Sequence, residues 1–374
     1  MIKYVSAGDS HGEMLIGIME NLPAGLTVNE EEINLYLSLR QRGYGRGARM
    51  KIENDKIHIV SGFSNGKTTG APLGFLVKNR DFEINKTKRE FTVPRPGHSD
   101  YAGSVKYAFE NAAIPSERTS ARTTATDVAA GALLLEYLKL FGIKIFFFVK
   151  SVGKFSVRSF PFDEKTFEYA LSNDLLAPSE DAYSGFKREI DEAIKRRDSI
   201  GGEGIAVLKN VPPGIGGYGN FTDKLDGIIA QFVMSVPSVK YVEIGNFDSS
   251  KFGSEFHDEM FVKDGKIFRK TNNAGGIEGG LSNGEDIIVK FGFKPIPTVL
   301  RGVRSVDIKD FSSKKTVYVR SDTCVVPAGT VVSAMRISIA LSQVLSEQFG
   351  GDTVSDVSDN FRHYLLRRKK FWQR

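Results

Sequence analysis

The chain has 374 residues, 41% hydrophobic and 26% charged, enough for one large or two ordinary domains around a substantial core. Cys324 is the only cysteine, which excludes an intrachain disulfide and fits a reducing compartment. The formal charge of +6 resides in the final stretch "RHYLLRRKKFWQR", where Arg362, Arg367, Arg368, Lys369, Lys370 and Arg374 stand without an acid, so overall charge does not argue for a nucleic-acid partner.

Read in chain order, the sequence alternates strands, helices and glycine-rich loops. The start lacks the basic and apolar regions of a secretory signal, and no apolar run reaches membrane-spanning length, so a cytoplasmic protein without a membrane partner is expected. After the short run "MIKYV" comes "SAGDSHG", which sets His11 beside Asp9, Ser10 and two glycines. "NEEEINLYLSLRQR" predicts a helix capped by its asparagine, with Ile33, Leu37 and Leu39 facing inward. "KIHIVSGF" and "GAPLGFLVKN" read as strands around the loop "SNGKTTG". The stretch "SERTSARTTATDVAAGALLLEYLKLFG" predicts one buried helix, with Ala121, Ala125, Val128, Ala132 and Leu135 at three-to-four spacing and Gly142 as its stop. "IKIFFFV" reads as a buried strand, and Ser159 to Tyr183 as a polar surface excursion or small subdomain. "TDKLDGIIAQFVMSV" and "GTVVSAMRISIALSQVLSEQFGG" predict two further helices.

Four clusters carry chemistry. "RQRGYGRGAR" places Arg40, Arg42, Arg46 and Arg49 among glycines, a pattern suited to bidentate grip on phosphate or carboxylate and equally to a flexible basic loop. "VPRPGHSD" holds Arg95 and His98 in a proline-stiffened loop next to Asp100, where a histidine's proton affinity can be tuned for acid catalysis. "SERTSAR" puts Arg118, Thr119, Ser120 and Arg122 at a helix start, a natural anion seat or a simple cap. "FGFKPIPT" and "YVRSDTC" add Lys294, Thr298, Arg320 and Asp322. Together they suggest a site for a small, highly anionic ligand with two histidines as proton donors. The five histidines lack metal-ligand spacing, so no metal is expected; neither a Rossmann fingerprint, a P-loop nor a G-x-S-x-G motif is present.

The ordered strings "AGDSHG", "RQRGYGRGARMKIE", "SGFSNGKTTGAP", "RPGHSD", "ERTSAR", "DSIGG", "DKLD", "VEIG", "GSEFHDE", "TNNAGGIEGGLSNG", "KPIPT" and "RSD" resemble chorismate synthase from Ser6 to about Gln348. The resemblance implies an α+β fold with helices sandwiched between antiparallel sheets, in one domain over residues 1–361 followed by a basic tail at 362–374. It also implies a carbon-oxygen lyase (EC 4.2.3.5) of the shikimate pathway, on the route to the aromatic amino acids. The reaction is the anti-1,4-elimination of phosphate from 5-enolpyruvylshikimate 3-phosphate to give chorismate, with reduced FMN. The family's assembly is a homotetramer, and its flavin is reduced either by bound NADPH or by an external flavin reductase.

Carried over motif by motif, His11, His98 and Asp322 are the expected catalytic groups: His11 acts near the flavin, His98 protonates the departing phosphate, and Asp322 assists proton movement. Arg40, Arg46, Arg49 and Arg95 are expected to hold substrate anions, with Arg40 and Arg46 also serving NADPH. Arg118, Thr119, Ser120, Pro237, Ser238, Gly279, Lys294, Pro295, Ile296, Pro297, Thr298 and Arg320 are the expected flavin positions. Several residues depart from the family pattern: Asp9 for Glu, Thr119 for Ser, Thr123 and Asp127 for Glu and Arg, Thr323 for Pro, and Pro237-Ser238 for Asn-Ala. Two rival readings are an FMN/NADPH-dependent reductase of a small anionic substrate and a basic nucleic-acid or anion-binding module working through the C-terminal tail.

Overall fold

The computed structural model describes residues 1–47, 54–80, 82, 90–316 and 322–372. Strands β1 (Lys3–Ala7) and β2 (Met14–Glu20) open the chain, followed by α1 (Glu30–Gln41), β3 (Ile57–Ser61) and β4 (Leu73–Lys78). These strands form a fully antiparallel sheet in the order β1-β2-β4-β3. The cap of α1 is the one read from sequence: Asn29 accepts from the amides of Glu31 and Glu32, and Ile33, Leu37 and Leu39 are buried.

Two short helices, α2 (Asp100–Tyr107) and α3 (Ala113–Thr119), lead to α4 (Thr124–Lys139). The expected single helix across this region is interrupted. Ser120 is extended, at φ −63° and ψ 140°, and its hydroxyl accepts from the Arg122 amide, so a helical start is capped afresh at a residue that reads as helix interior from spacing alone. Ala121 accordingly turns outward, while α4 is buried on nearly every side. Each of its fully buried leucines, such as Leu133, Leu134 and Leu138, contributes about 1.5–3 kcal/mol.

Next come β5 (Lys144–Val152), β6 (Phe155–Ser156), α5 (Glu164–Ser172), α6 (Glu180–Lys195), β7 (Gly202–Lys209), α7 (Leu225–Met234), β8 (Val239–Ile244) and β9 (Ile287–Phe293). The second sheet has the order β8-β9-β7-β5-β6, again antiparallel throughout. Along β5, Phe146, Phe147 and Phe148 all meet Phe167 on α5, and Phe147 also meets Tyr36 on α1. A strand covered on both faces reads as an unbroken apolar run. The segment 159–183 is therefore not a surface excursion. Its Phe160, Phe162 and Phe167 pack on Phe148, and Leu175, Leu176 and Ala177 are buried; their apolar signal is diluted by the polar residues between them.

The chain closes with α8 (Val326–Gln348) and α9 (Val354–Trp372), the latter running through the point where the composition turns basic. Helix α8 is long and apolar enough to cross a membrane, but it is the buried core helix here. It packs on α4, on α1 and on strands β5 and β7, while α4 packs on β1, β2 and β4, so the helices form a layer between the two antiparallel sheets. This is the α+β sandwich expected from the family resemblance.

Candidate active site

A cavity of about 350 Å³ lies where the helix layer meets the loops at one end of both sheets. Its walls come from the end of α1 and the following loop, the loop before α2, the α3–α4 junction, the turn between α7 and β8, the segment after β9, and the residues leading into α8. The size suits a small-molecule ligand.

Of the residues expected from sequence, Arg40, Arg46, Arg95, His98, Thr119, Ser120, Pro237, Ser238, Lys294, Ile296, Pro297, Thr298 and Asp322 line this cavity. His11, Arg118, Gly279 and Pro295 do not. Arg49 and Arg320 fall outside the described residues.

The loop before α2 is a compact ion-pair unit. Gly97 takes a left-handed φ of 82°, which a side chain would resist. The turn lets the His98 amide donate to the Arg95 carbonyl at 3.1 Å. Asp100, fully buried, accepts from Arg95 Nε at 2.7 Å, Arg95 Nη2 at 2.9 Å and the Arg95 amide at 3.0 Å, and its Oδ1 lies 2.6 Å from His98 Nδ1. Burial opposes its charge, but the hydrogen bonds and charges of His98 and Arg95 outweigh that penalty and hold the carboxyl well below its ordinary range. Since an ionised carboxylate only accepts, the His98 proton sits on Nδ1 and Nε2 remains for the cavity. Lys294 donates to the Gly97 carbonyl and ties this loop to the end of β9. Partial burial and the nearby Lys240 lower the proton affinity of Lys294.

Behind a second wall, Arg40 and Arg122 flank the buried Asp55. Arg122 Nη1 is 2.6 Å from both carboxylate oxygens, while Arg40 reaches Asp55 at 3.3 Å, Thr124 Oγ1 at 3.1 Å and the Ala121 carbonyl at 2.7 Å. Burial brings Arg40 down to about 10 from its ordinary value. All three of its nitrogens are engaged within the protein. Arg46 differs: Nη1 lies 3.3 Å from Asp322, but its buried Nε has no partner among the described residues. Asp322 also accepts from the Gly47 amide at 2.7 Å.

Around these charges runs a hydroxyl and backbone wall. Ser99 and Thr119 share a hydroxyl contact, and Thr298 accepts from Arg95 Nη1 at 3.3 Å. Ser238 holds a left-handed φ of 73°, unusual for a residue with a Cβ, and its carbonyl accepts from the Lys294 amide at 2.9 Å. Such strain gathers where a chain must approach a ligand.

The segment carrying His11 is clamped to α3. Glu117 carboxylate oxygens lie 2.8 and 2.9 Å from His11 Nδ1, and one accepts from the His11 amide at 2.8 Å. Arg118 donates to the Ser6 carbonyl at 3.0 Å and the Ser6 hydroxyl at 2.9 Å rather than reaching the cavity. His11 is thus anchored to the helix whose end carries Thr119, which with Ser120 lines the cavity. Gly279 sits in a glycine turn between two short strands at φ 62°. Sequence reasoning did not assign roles to Glu117 or Asp55, whose partners are remote in sequence; Asp100 was visible as the acid beside His98.

This arrangement defines an enzyme for a small polyanionic substrate, with an imidazole poised by a carboxylate amid arginines. The family model for chorismate synthase matches residues 2–345. Proteins named chorismate synthase from Caldicellulosiruptor bescii, Aquifex aeolicus and Thermotoga maritima are 46%, 42% and 41% identical, covering 96%, 99% and 100% of this chain and 98%, 99% and 99% of theirs. A crystal structure of chorismate synthase superimposes with a TM-score of 0.82 at 35% identity, covering 99% of each chain. The chain belongs to the chorismate synthase family, carbon-oxygen lyases that release phosphate as they form chorismate.

Proposed function

We propose that the elimination of phosphate from 5-enolpyruvylshikimate 3-phosphate takes place in this cavity, with His98 as the acid that protonates the departing phosphate. The observation that carries the assignment is the His98–Asp100 contact at 2.6 Å on a wall that also presents Arg46, Arg95 and Lys294. A cationic wall binds the phosphate and carboxylates of the substrate, and proton donation lowers the cost of expelling a multiply charged group. Arg46, with a buried donor without a described partner, is the strongest candidate for direct contact. Arg95 contributes from its anchored position, while Arg40 shapes and charges the wall. Arg49 is assigned to the same anions by motif alone.

The wall also suits a flavin phosphate and ring. Thr119, Ser120, Pro237, Ser238, Lys294 and the Ile296–Thr298 segment offer hydroxyls, a cation and a close-approach backbone at φ 73° on one side of the cavity. Reduced FMN, when bound, supplies the electron density that C–O cleavage needs. His11, held by Glu117, keeps a proton near that wall, and Asp322 adds a carboxylate to the same proton inventory. Arg118, Gly279, Pro295 and Arg320 are assigned to the flavin by motif alone, and Arg118 acts by fixing Ser6. With Arg40 engaged by Thr124, Asp55 and Ala121, we infer that flavin reduction comes from an external reductase rather than from NADPH bound to Arg40 and Arg46.

We also infer self-association into a homotetramer. Val5, Ile16, Ile18 and Val60 are exposed on the four-stranded sheet, an apolar face that a second copy would cover. The single cysteine and its burial fit a cytoplasmic setting.

The deciding experiment is anaerobic phosphate release from 5-enolpyruvylshikimate 3-phosphate with dithionite-reduced FMN, comparing the wild type with His98→Ala and His11→Ala. Turnover without net flavin oxidation, depressed in both variants, supports the assignment. A folded wild type that binds FMN, releases no phosphate and consumes reductant stoichiometrically points instead to a reductase.

A further inference from the structure

Asp100 begins a helix, but its carboxylate turns back under the preceding loop instead of facing solvent. There it accepts from three nitrogens of Arg95 and from the ring of His98, with no exposed surface of its own. A side chain engaged this way does not touch the cavity's contents. We propose that Asp100 is the positioning residue of the site, fixing the His98 proton on Nδ1, presenting Nε2 to the substrate and anchoring Arg95 with the same carboxylate.

The proposal rests on the lyase reading above for its kinetic consequences, though not for its geometry. The charges facing His98 show what Asp100 must counter. Arg95 Nη2 lies 3.3 Å from His98 Nδ1; Lys294, from the end of β9, binds the carbonyl of the preceding glycine; and Arg46 and Arg122 line the same cavity. Asp322 is the carboxylate on the lining itself, and it is paired with Arg46. Ser99 and Thr119 supply only hydroxyls. Without Asp100, the His98 ring would face mainly cations. With it, the ring has an anion at Nδ1, and that contact holds Nε2 toward the substrate.

The test is nitrogen-15 NMR of histidine-labelled, full-length protein, with the His98 signal assigned through His98→Gln. In the wild type, neutral His98 should be the Nδ1–H tautomer; the Nε2–H tautomer would overturn the proposal whether or not any variant folds. In Asp100→Asn, checked for folding by circular dichroism, the amide can donate as well as accept, so the His98 nitrogen-15 shifts should show a larger share of the Nε2–H tautomer. An unchanged tautomer in the folded variant rejects the proposal, and it does so even if the protein proves not to be a lyase. In phosphate release, the folded Asp100→Asn variant should lose about 10- to 100-fold in kcat. In a His98→Gln background, the second substitution should cost much less in kcat than it does in the wild type. An equal loss in both backgrounds would show that Asp100 does not act through His98.

Discussion

Glu117 meets His11 twice, through both carboxylate oxygens at the ring and through one of them at the backbone amide, across 106 residues of sequence. Held at Nδ1 and at its own amide, His11 ties the loop of residues 6–12 to α3. Glu117→Ala should therefore lower turnover by about 10- to 100-fold, part of the effect of removing a general acid. Circular dichroism should be unchanged, and a variant with wild-type kcat would show that His11 needs no clamp.

Arg40 and Arg46 sit on the same wall but should fail differently. Arg40→Ala removes one of two cations from the buried Asp55, and a broken buried pair costs about 3 kcal/mol. Chemical denaturation should reveal that loss. Arg46→Ala removes only a 3.3 Å pair with Asp322, so it should cost less stability than Arg40→Ala and instead raise KM for the substrate by about 10- to 100-fold, the loss of a charged hydrogen bond or two. The opposite pattern would exchange the two roles.

Acidification should weaken the protein through Asp100. Its carboxyl is held below the ordinary 3.8, so it stabilises the fold above that pH. The contribution is lost as the pH falls below about 4 toward the depressed native value. Asp100→Asn should be less stable than wild type at pH 7 and show a shallower decline in acid, measured as denaturation midpoints across pH 7 to 2. Parallel declines in the two proteins would remove Asp100 from the acid limb.

The core is tightest where α4 crosses α8. A Cβ built on Gly131 would lie 2.3 Å from the Met335 carbonyl oxygen, and the Ser338 hydroxyl already donates to the Gly131 carbonyl at 2.9 Å. Gly131→Ala must push two backbones apart and should cost about 3 kcal/mol despite its better helix propensity. A stabilised variant in urea denaturation would mean the crossing relaxes freely.

Cys324 is fully buried, and burial pushes its thiol up to about 12. It should resist a disulfide reagent at neutral pH in the native protein and react on denaturation. Rapid labelling of the folded state would contradict this packing.

The helices at 30–41, 225–234 and 326–348 were legible in sequence because apolar spacing marks each one, with the Asn29 cap added at the first; the other two start without a side-chain cap. The break at Ser120 was not, since small residues on both sides preserve the helical pattern and only the hydroxyl's bond to the Arg122 amide reveals the new start. The packing of residues 159–183 was hidden for another reason: the rings that receive Phe160 and Phe167 lie on β5, and pairings between elements leave no period in the chain. At the site, Arg95, His98 and Asp100 were visible because one short loop carries all three. Glu117 and Asp55 were not, because buried ion pairs join residues by topology.

Helices α4 and α8 both begin at the cavity, the first just beyond Ser120–Arg122 and the second at Val325. Their peptide dipoles therefore converge, positive ends foremost, on the place where the anion is expected. That field belongs to the backbone and survives every side-chain replacement. A scan that strips the arginines one at a time will leave a residual affinity for phosphate, and the sum of its losses will understate how strongly the intact site favours negative charge.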